Sequence, residues 1–408
     1  MRIAVHDYAG HPFQFELSRE LARNGHEVRH FFFSDFETPK GRSAVGPDDA
    51  PTFSVDPITL GGAFDKGNFV SRGMKNMQYG REAGRRIATF KPDVVLSGNT
   101  PTESQGFLID AAQSNGAAFA FWMQDFYSLA VGLLLKKRLG VAGAAIGAAY
   151  RAAERGQIAR SDAIVVISDG FTEELVRFGG SPQKVTTIPN WGALSELPVR
   201  AKDNAWSRAR DVQDKFVFLY SGTLGLKHDP RLLLRLADAY ADDPSVVVLV
   251  AAEGAGVDTL KSEVARKPRA NMIFAGLQPI ADFPDVLGAA DVFITLLEED
   301  AGRFSVPSKV LSYLCAARPI LLAAPANNLS VEVVKTAGAG VAVAAGDANG
   351  FVEAARLLHG DPARRAAAGE AGRAYAERHF DIGAIAQRFE QVFAEAIARR
   401  KGAPGPAR

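Results

Sequence analysis

Short runs of β-branched and aromatic residues alternate with longer helical patterns along most of the chain, and this alternation is the strongest constraint on its fold. A strand period followed by a helix period, repeated, is the signature of a parallel sheet covered by helices. Arg2 to His6 reads as a strand. Phe13 to Asn24 then places Phe13, Leu17, Leu21 and Ala22 on one helical face, Gly25 stops the helix, and Glu27 to Phe33 starts the next strand. Residues 35–70 carry Gly, Pro and Asp without a clear period and read as a long irregular connection, followed by a helix to about Phe90. Asp93 to Ser97, Ala118 to Met123 and Ala163 to Ser168 read as further buried strands. Each has Gly, Asn or Asp near its C-terminal end, where the ligands of such sheets gather.

Length turns one such sheet into two. The chain has 408 residues, and single cores stop growing near roughly 250–300 residues. The pattern breaks at Ile188 to Asn204, where Pro189-Asn190-Trp191-Gly192 leads into a segment with Pro and charge. Beyond it, strands at Phe216 to Tyr220, Val246 to Ala251, Asn271 to Ala275, Val292 to Thr295 and Ile320 to Ala323 repeat the scheme. Two doubly wound α/β domains are expected, at residues 1–192 and 193–381. A last helix at 382–401 is expected to cross back to the first domain, with a disordered tail at 402–408.

Composition removes several functions. Lys plus Arg is 47 against 46 for Asp plus Glu, a net charge of +1, so there is no electrostatic case for nucleic acid as a partner. A single cysteine, Cys315, forms no internal disulfide and supplies no zinc cluster, so a reducing compartment and no metal are expected. Met1-Arg2-Ile3-Ala4-Val5 runs into a strand rather than a signal peptide, which predicts a cytoplasmic protein. Leu129 to Ala149 is weakly polar but is broken by Lys136, Lys137 and Arg138, charges too costly for a spanning helix. The same stretch joins Leu129, Val131, Leu133, Leu134 and Leu135 to that basic cluster and to Arg151, Arg155 and Arg160. Apolar surface beside basic charge suits the anionic inner face of the cytoplasmic membrane, whereas a helix packed in the first domain with solvated arginines is the plainer alternative.

Three segments carry candidate chemistry. Ser221-Gly222-Thr223-Leu224-Gly225-Leu226-Lys227-His228 follows a strand and precedes a helix. Its glycines let backbone N–H groups approach an anion and Lys227 adds a point charge, as a diphosphate needs, or else it is a tight turn with a surface lysine. Arg303 to Leu314 contains Val306-Pro307-Ser308-Lys309. Ser308 is read as an N-cap, and Lys309 in the first turn opposes the helix dipole, which a bound anion would explain, a plain surface lysine being the alternative. Trp122-Met123-Gln124-Asp125-Phe126 ends a strand with a carboxylate that can hold a sugar hydroxyl or cap the following helix. Gly10-His11-Pro12, Asn99-Thr100 and Glu253-Gly254-Ala255-Gly256 are lesser marks. No GxGxxG follows the first strand and no Walker-A spacing occurs, which disfavours dehydrogenase and P-loop chemistry.

In their order, several segments resemble the retaining GT-B glycosyltransferases of family 4, the group that includes bacterial O-antigen and exopolysaccharide transferases. They are Asn24-Gly25-His26-Glu27-Val28, Asp162 to Ser168, Lys184 to Trp191, Tyr220 to Gly225, Ala289 to Ile294, Val306-Pro307-Ser308-Lys309 with Arg318-Pro319-Ile320, and His379-Phe380-Asp381. The resemblance implies two Rossmann-like domains facing a central cleft, a nucleotide-diphosphate sugar as donor (UDP favoured), and retention without a metal ion or other cofactor. It implies a polyprenyl-diphosphate-linked saccharide as acceptor. Carried over by position, Gly222, Thr223, Lys227, Glu253, Leu277, Arg303, Ser305, Val306, Pro307, Ser308, Lys309 and Ser312 would bind the donor, with Lys227 also catalytic. Asp125 and Gln124 would be catalytic on the acceptor side, Gln124 standing where many members have His, and Gly10, His11, Asn99 and Thr100 would line that side. By the same resemblance the family's paired glutamates would fall near Phe304 and Ser312, neither acidic here, so altered donor recognition is expected. A nucleotide-sugar epimerase or hydrolase of the same architecture, and a non-catalytic sugar-nucleotide binder, are the competing functions.

Overall fold

A computed structural model describes residues 1–36, 40–61, 69–225, 228–299 and 308–402. The chain divides into two compact units, Met1–Asn190 with the segment from Ile382 onward, and Trp191–Asp381.

In the first unit the order is β1 (Arg2–Asp7), α1 (Pro12–Arg23), β2 (Glu27–Phe33), β3 (Phe53–Ile58), α2 (Phe69–Phe90), β4 (Val94–Gly98) and α3 (Thr102–Ser114). It continues through β5 (Ala118–Met123), α4 (Tyr127–Arg160), β6 (Ala163–Val166), α5 (Asp169–Arg177) and β7 (Val185–Thr187). The parallel sheet has the strand order β3-β2-β1-β4-β5-β6-β7. Winding therefore reverses between β1 and β4, whose register pairs Asp7 with Gly98. In such sheets the crevice for a ligand opens at this reversal, above the strand C-termini. Strand β3 corrects the reading of residues 35–70 as wholly irregular. It is an outermost strand with intermediate and exposed residues in its middle, so it lacks the apolar run that marked β1, β4 and β5.

Helix α4 is not one rod. Gly140 has φ 56° and ψ −127°, and the chain doubles back there into an antiparallel helical hairpin. Glycines let its limbs touch backbone to backbone. A Cβ added at Gly143 would lie 2.0 Å from the Leu135 carbonyl oxygen, and one at Gly147 would lie 2.8 Å from the Cα of Gly132. Near the base of the hairpin, Ser128 donates to the buried Glu154 at 2.5 Å. The tip is the reverse of a core: Leu133 is 72% exposed and Val141 88% exposed, beside exposed Lys136, Lys137 and Arg138. No helix among the described residues is long and apolar enough to cross a membrane.

The second unit runs α6 (Ala205–Arg208), β8 (Phe216–Thr223), α7 (Arg231–Ala239), β9 (Val246–Glu253), α8 (Ala255–Arg266), β10 (Met272–Phe274), α9 (Phe283–Gly288) and β11 (Val292–Leu296). It ends with α10 (Ser308–Cys315), β12 (Ile320–Ala324), α11 (Leu329–Ala337), β13 (Gly340–Ala344), α12 (Ala348–Gly360) and α13 (Pro362–His379). Its parallel sheet has the order β10-β9-β8-β11-β12-β13, so the reversal lies between β8 and β11. Phe218 and Tyr220 of β8 and the aliphatic residues of β9, β11 and β12 fill the core below, with Leu233, Leu236 and Phe351 from the covering helices wholly buried. The last helix, α14 (Ile382–Arg400), lies on the first unit against α1 and β5, with the Phe389 ring 4.9 Å from that of Trp122.

Candidate active site

The richer chemistry of the second unit stands at its reversal point. Strand β8 ends on Ser221-Gly222-Thr223, with Gly222 at φ 93°, and its register sets Thr223 beside Glu253, the exposed last residue of β9. The turns after both strands are clasped together. Leu224 N–H donates to the Glu253 carbonyl at 2.8 Å and Gly256 N–H to the Leu224 carbonyl at 2.9 Å. Gly254 has φ 112°, and a Cβ there would stand 2.8 Å from the Leu224 carbonyl oxygen, so only glycine admits this approach. Gly225 N–H donates to His228 Nδ1 at 3.0 Å, which closes the start of the next turn.

Lys309 reaches this strand end from the first turn of α10. Its Nζ donates to the Tyr220 hydroxyl at 2.5 Å and to the Thr223 carbonyl at 3.2 Å, and lies 3.8 Å from the Tyr220 ring centre. Tyr220 donates in turn to the Thr223 carbonyl at 2.9 Å. Among the described residues no carboxylate bonds the ammonium, and burial pushes its pKa down to about 7. Beneath it, Tyr313 of α10 stacks on Phe293 at 4.1 Å and takes the Ser221 backbone N–H at 3.0 Å, which ties α10 to β8 and β11. Ser308 is the first described residue of α10, and it is exposed. Ser312 is half-buried one turn further along, and Leu277 is exposed after β10. The structure thus brings Gly222, Thr223, Glu253 and Lys309 together. Lys227, Arg303, Ser305, Val306 and Pro307 lie outside the described residues.

In the first unit, Gly10, His11, Asn99 and Thr100 follow β1 and β4 at the reversal point, and Gln124 and Asp125 follow the neighbouring β5. Asp125 is exposed just past β5, and its carboxylate accepts the neighbouring Phe126 N–H at 2.8 Å. Helix α4 has Phe126 as its N-cap with no side-chain cap bond, so the capping alternative for Asp125 does not hold. Gln124 accepts from Asn99 at 3.1 Å and from Asn190 at 3.2 Å. Thr100 is turned inward, bonded to His6 at 3.0 Å, to Ser97 at 2.9 Å and to the Gly98 carbonyl at 3.0 Å, so it braces the floor rather than facing a ligand. Gly10, at φ 75°, makes the turn after β1 that carries His11.

His11 has a partner that spacing did not reveal. Asp7, fully buried at the end of β1, accepts from His11 Nδ1 at 3.0 Å and also from the His11 backbone N–H. Burial disfavours both charged forms, yet the pairing prevails: Asp7 is held below its ordinary pKa and His11 above its own. His11, Tyr8, Arg72, Asn76, Asn99 and Tyr127 line a cavity of about 330 Å³. Two other histidines are core residues. Burial lowers His6 to about 4 and His30 to about 3, the latter stacked on Phe15 at 3.8 Å. Among the described residues no group of three His, Cys, Asp or Glu side chains is placed to hold a metal ion.

Two parallel doubly wound sheets, each extending to both sides of its first strand, β1 or β8, and each with polar groups at its reversal point, define a GT-B protein. Residues 12–191 match the glycosyl transferase 4-like domain, and residues 203–375 match the glycosyl transferases group 1 domain. The chain belongs to the family 4 GT-B glycosyltransferases. It is 25% identical over 255 residues to WcaI of Escherichia coli, a glycosyl transferase assigned to colanic acid biosynthesis, a match covering 60% of this chain and 61% of that one. The match therefore spans about three fifths of that relative's length. Among solved structures, the sucrose-phosphate synthase of Thermosynechococcus elongatus has a TM-score of 0.71 at 16% identity, covering 98% of this chain and 100% of that one. HepE of Anabaena, solved with UDP-glucose, has a TM-score of 0.66 at 14% identity, covering 97% and 99%.

Proposed function

We propose that the protein is a retaining, metal-independent glycosyltransferase that moves a sugar from a nucleotide-diphosphate sugar to a lipid-linked saccharide during surface-polysaccharide assembly. The observation that carries this reading is Lys309, whose ammonium stands at the Gly222-Thr223 strand end on the Tyr220 hydroxyl and the Thr223 carbonyl. In such a transfer the bond from the anomeric carbon to the diphosphate breaks, and the acceptor oxygen takes its place on the same face. Charge grows on the leaving diphosphate, so a fixed cation and oriented backbone N–H groups aimed there lower the barrier. Lys309 and the Gly222 turn suit that task, and Lys227, Arg303 and residues 305–308 belong to the same donor segments by position. UDP is the favoured nucleotide, a preference in keeping with the UDP-glucose complex of HepE. Polysaccharide assembly accords with the name of the colanic acid relative.

On the acceptor side, Asp125 and Gln124 at the end of β5 are assigned to the reacting hydroxyl. The hairpin tip, apolar with a basic cluster, is assigned to the inner face of the cytoplasmic membrane, where a polyprenyl-diphosphate-linked acceptor resides. The test is incubation with labelled nucleotide sugars and a lipid extract. New glycolipid supports transfer, whereas an isomerised donor, free sugar alone, or nucleotide binding without turnover overturns it. In calorimetry, Lys309→Ala is expected to weaken UDP binding by about 1.5–3 kcal/mol, the range for a charged hydrogen bond. Unchanged affinity removes Lys309 from the donor site.

A further inference from the structure

The ammonium of Lys309 is held by a side chain that reads in the sequence as plain core. Tyr220 belongs to the buried run of β8, yet its hydroxyl meets the last residue of its own strand. It donates to the Thr223 carbonyl at 2.9 Å, with Gly222 at φ 93° between the two residues. Because that bond uses the hydroxyl proton, the oxygen presents only lone pairs to Lys309 Nζ, 2.5 Å away. The same Thr223 carbonyl accepts from Nζ at 3.2 Å, so the two donors fill both of its lone pairs. Nζ, the Tyr220 oxygen and the Thr223 oxygen thus close a ring of hydrogen bonds, and the centre of the Tyr220 ring lies 3.8 Å from Nζ.

The kind of partner decides what this hold is good for. A carboxylate at hydrogen-bond distance would pin the ammonium and also cancel its charge. A hydroxyl, a carbonyl and a π face fix it with dipoles and a quadrupole, and the positive charge stays in place for an anion. The partners come from separate elements, Lys309 from the first turn of α10 and Tyr220 and Thr223 from β8. Tyr313 of α10 takes the Ser221 N–H at 3.0 Å and so fixes the helix against that strand. A long side chain is thereby stopped at one point, and its rotamer freedom is given up on folding rather than on ligand binding.

We propose that Tyr220 is a positioning residue of the donor site, whose hydroxyl and ring hold the Lys309 ammonium at the end of β8, charged and already in place, for the diphosphate of the donor. The inference rests on the donor reading above, and it adds the residue through which Lys309 is made fit for that role. Burial raises the hydroxyl pKa of Tyr220 and pushes that of Tyr313 up to about 12, so both stay neutral at ordinary pH. Glu253 stands beside Thr223 in register, and the His228 ring centre is 6.3 Å from that of Tyr220. Both are present in every protein compared below, so their own titration cancels at a given pH.

The experiment compares the full-length wild type with Tyr220→Phe, which keeps the buried ring and removes the oxygen. In ligand-free protein carrying isotope-labelled lysine, the NMR signal of the Lys309 Cε, identified by its loss in Lys309→Ala, reports the ammonium directly. Its midpoint, about 7 in the wild type, should fall by about one pH unit in Tyr220→Phe, because a hydrogen bond that favours the charged form is gone. UDP affinity measured by calorimetry should then drop about twofold at pH 6 and about tenfold at pH 8 relative to wild type. In a Lys309→Ala background, Tyr220→Phe should change UDP affinity by less than about twofold at either pH, since its effect passes through the lysine. An unmoved Lys309 midpoint, an equal loss of affinity at both pH values, or the same loss in the Lys309→Ala background would each overturn the proposal. A wild type that binds no UDP, while the midpoint still shifts in Tyr220→Phe, would instead overturn the donor reading and leave the hold of Tyr220 on Lys309 standing.

Discussion

At the scale of the residue, Lys309 shows how a sequence anomaly becomes a testable property. A lysine in the first turn of a helix opposes the dipole, and in the structure that lysine points away from the helix to Tyr220 and Thr223. Its partner was not legible in the sequence, because Tyr220 reads only as one more apolar residue of β8. The same holds for Asp7: it ends β1, where ligands gather, but nothing in its spacing announces the bond to His11. By contrast the positions of Gly222, Thr223 and Asp125 at strand ends were legible, although a tight turn and a helix cap were equally good reasons for such residues there. The lowered pKa of Lys309, about 7 in the free protein, has a direct consequence. A diphosphate favours the ammonium, so above pH 7 binding must take up a proton. UDP affinity should therefore fall as pH rises from 7 to 9, by up to about tenfold per unit, because one proton is linked to binding. Lys309→Arg, always charged, should flatten the slope. Calorimetry at several pH values checks both; equal slopes in wild type and variant would refute the linkage. At a second residue, Asp125→Asn should cut turnover far more than donor affinity, a split that steady-state kinetics reads directly.

Elements that carry a continuous apolar run were legible, and the edge strands other than β10 were not. The central strands β1, β4, β5, β8, β9, β11 and β12 are buried on both faces or nearly so, hence their unbroken hydrophobic runs. The strands missing from the sequence reading, β3, β7 and β13, all lie at the edge of a sheet, where one side needs no partner and polar residues are tolerated. Pro57 in β3 is an instance, since an edge strand can spare an N–H. The hairpin of α4 was half legible. Its apolar and basic composition was evident, but Gly132, Gly140, Gly143, Gly147 and Gly156 recur without marking which one turns the chain. The limb from Tyr127 to Gly140 spans about 20 Å at the helical rise, which separates the exposed tip from the cavity at its base. Two variants test the element. Gly143→Val places a side chain into the Leu135 carbonyl and should splay the limbs, at a cost of several kcal/mol comparable to strong overpacking. Replacing Lys136, Lys137 and Arg138 by Ser should leave stability unchanged and abolish sedimentation with anionic liposomes, each basic residue contributing about 1 kcal/mol at such a surface. No lipid association of the wild type at low salt would refute the docking role.

At the scale of the molecule, the chain reaches its first unit twice, from residue 1 and again from Ile382. Helix α14 buries Ile385, Phe389, Val392 and Phe393 against that unit, with Phe389 on Trp122 of β5. Polar contacts fix its register: Glu390 takes Asn24 at 2.8 Å and His26 at 3.2 Å, while Arg399 donates to the Asp162 carbonyl at 3.3 Å. Four apolar side chains, at about 1.5–3 kcal/mol each when fully buried, sum to roughly 6–12 kcal/mol. That matches the whole stability of an ordinary domain, about 5–15 kcal/mol. Truncation before Ile382 should therefore unfold or loosen the first unit although its own sheet is intact in sequence. The second unit, Trp191–Asp381, loses none of its internal contacts by this cut. Hydrogen exchange on the truncated protein should show protection lost across β1, β4 and β5 and retained across β8, β9 and β11, with UDP still bound. Uniform loss in both units, or undiminished protection of β5, would show that α14 does not complete the first core.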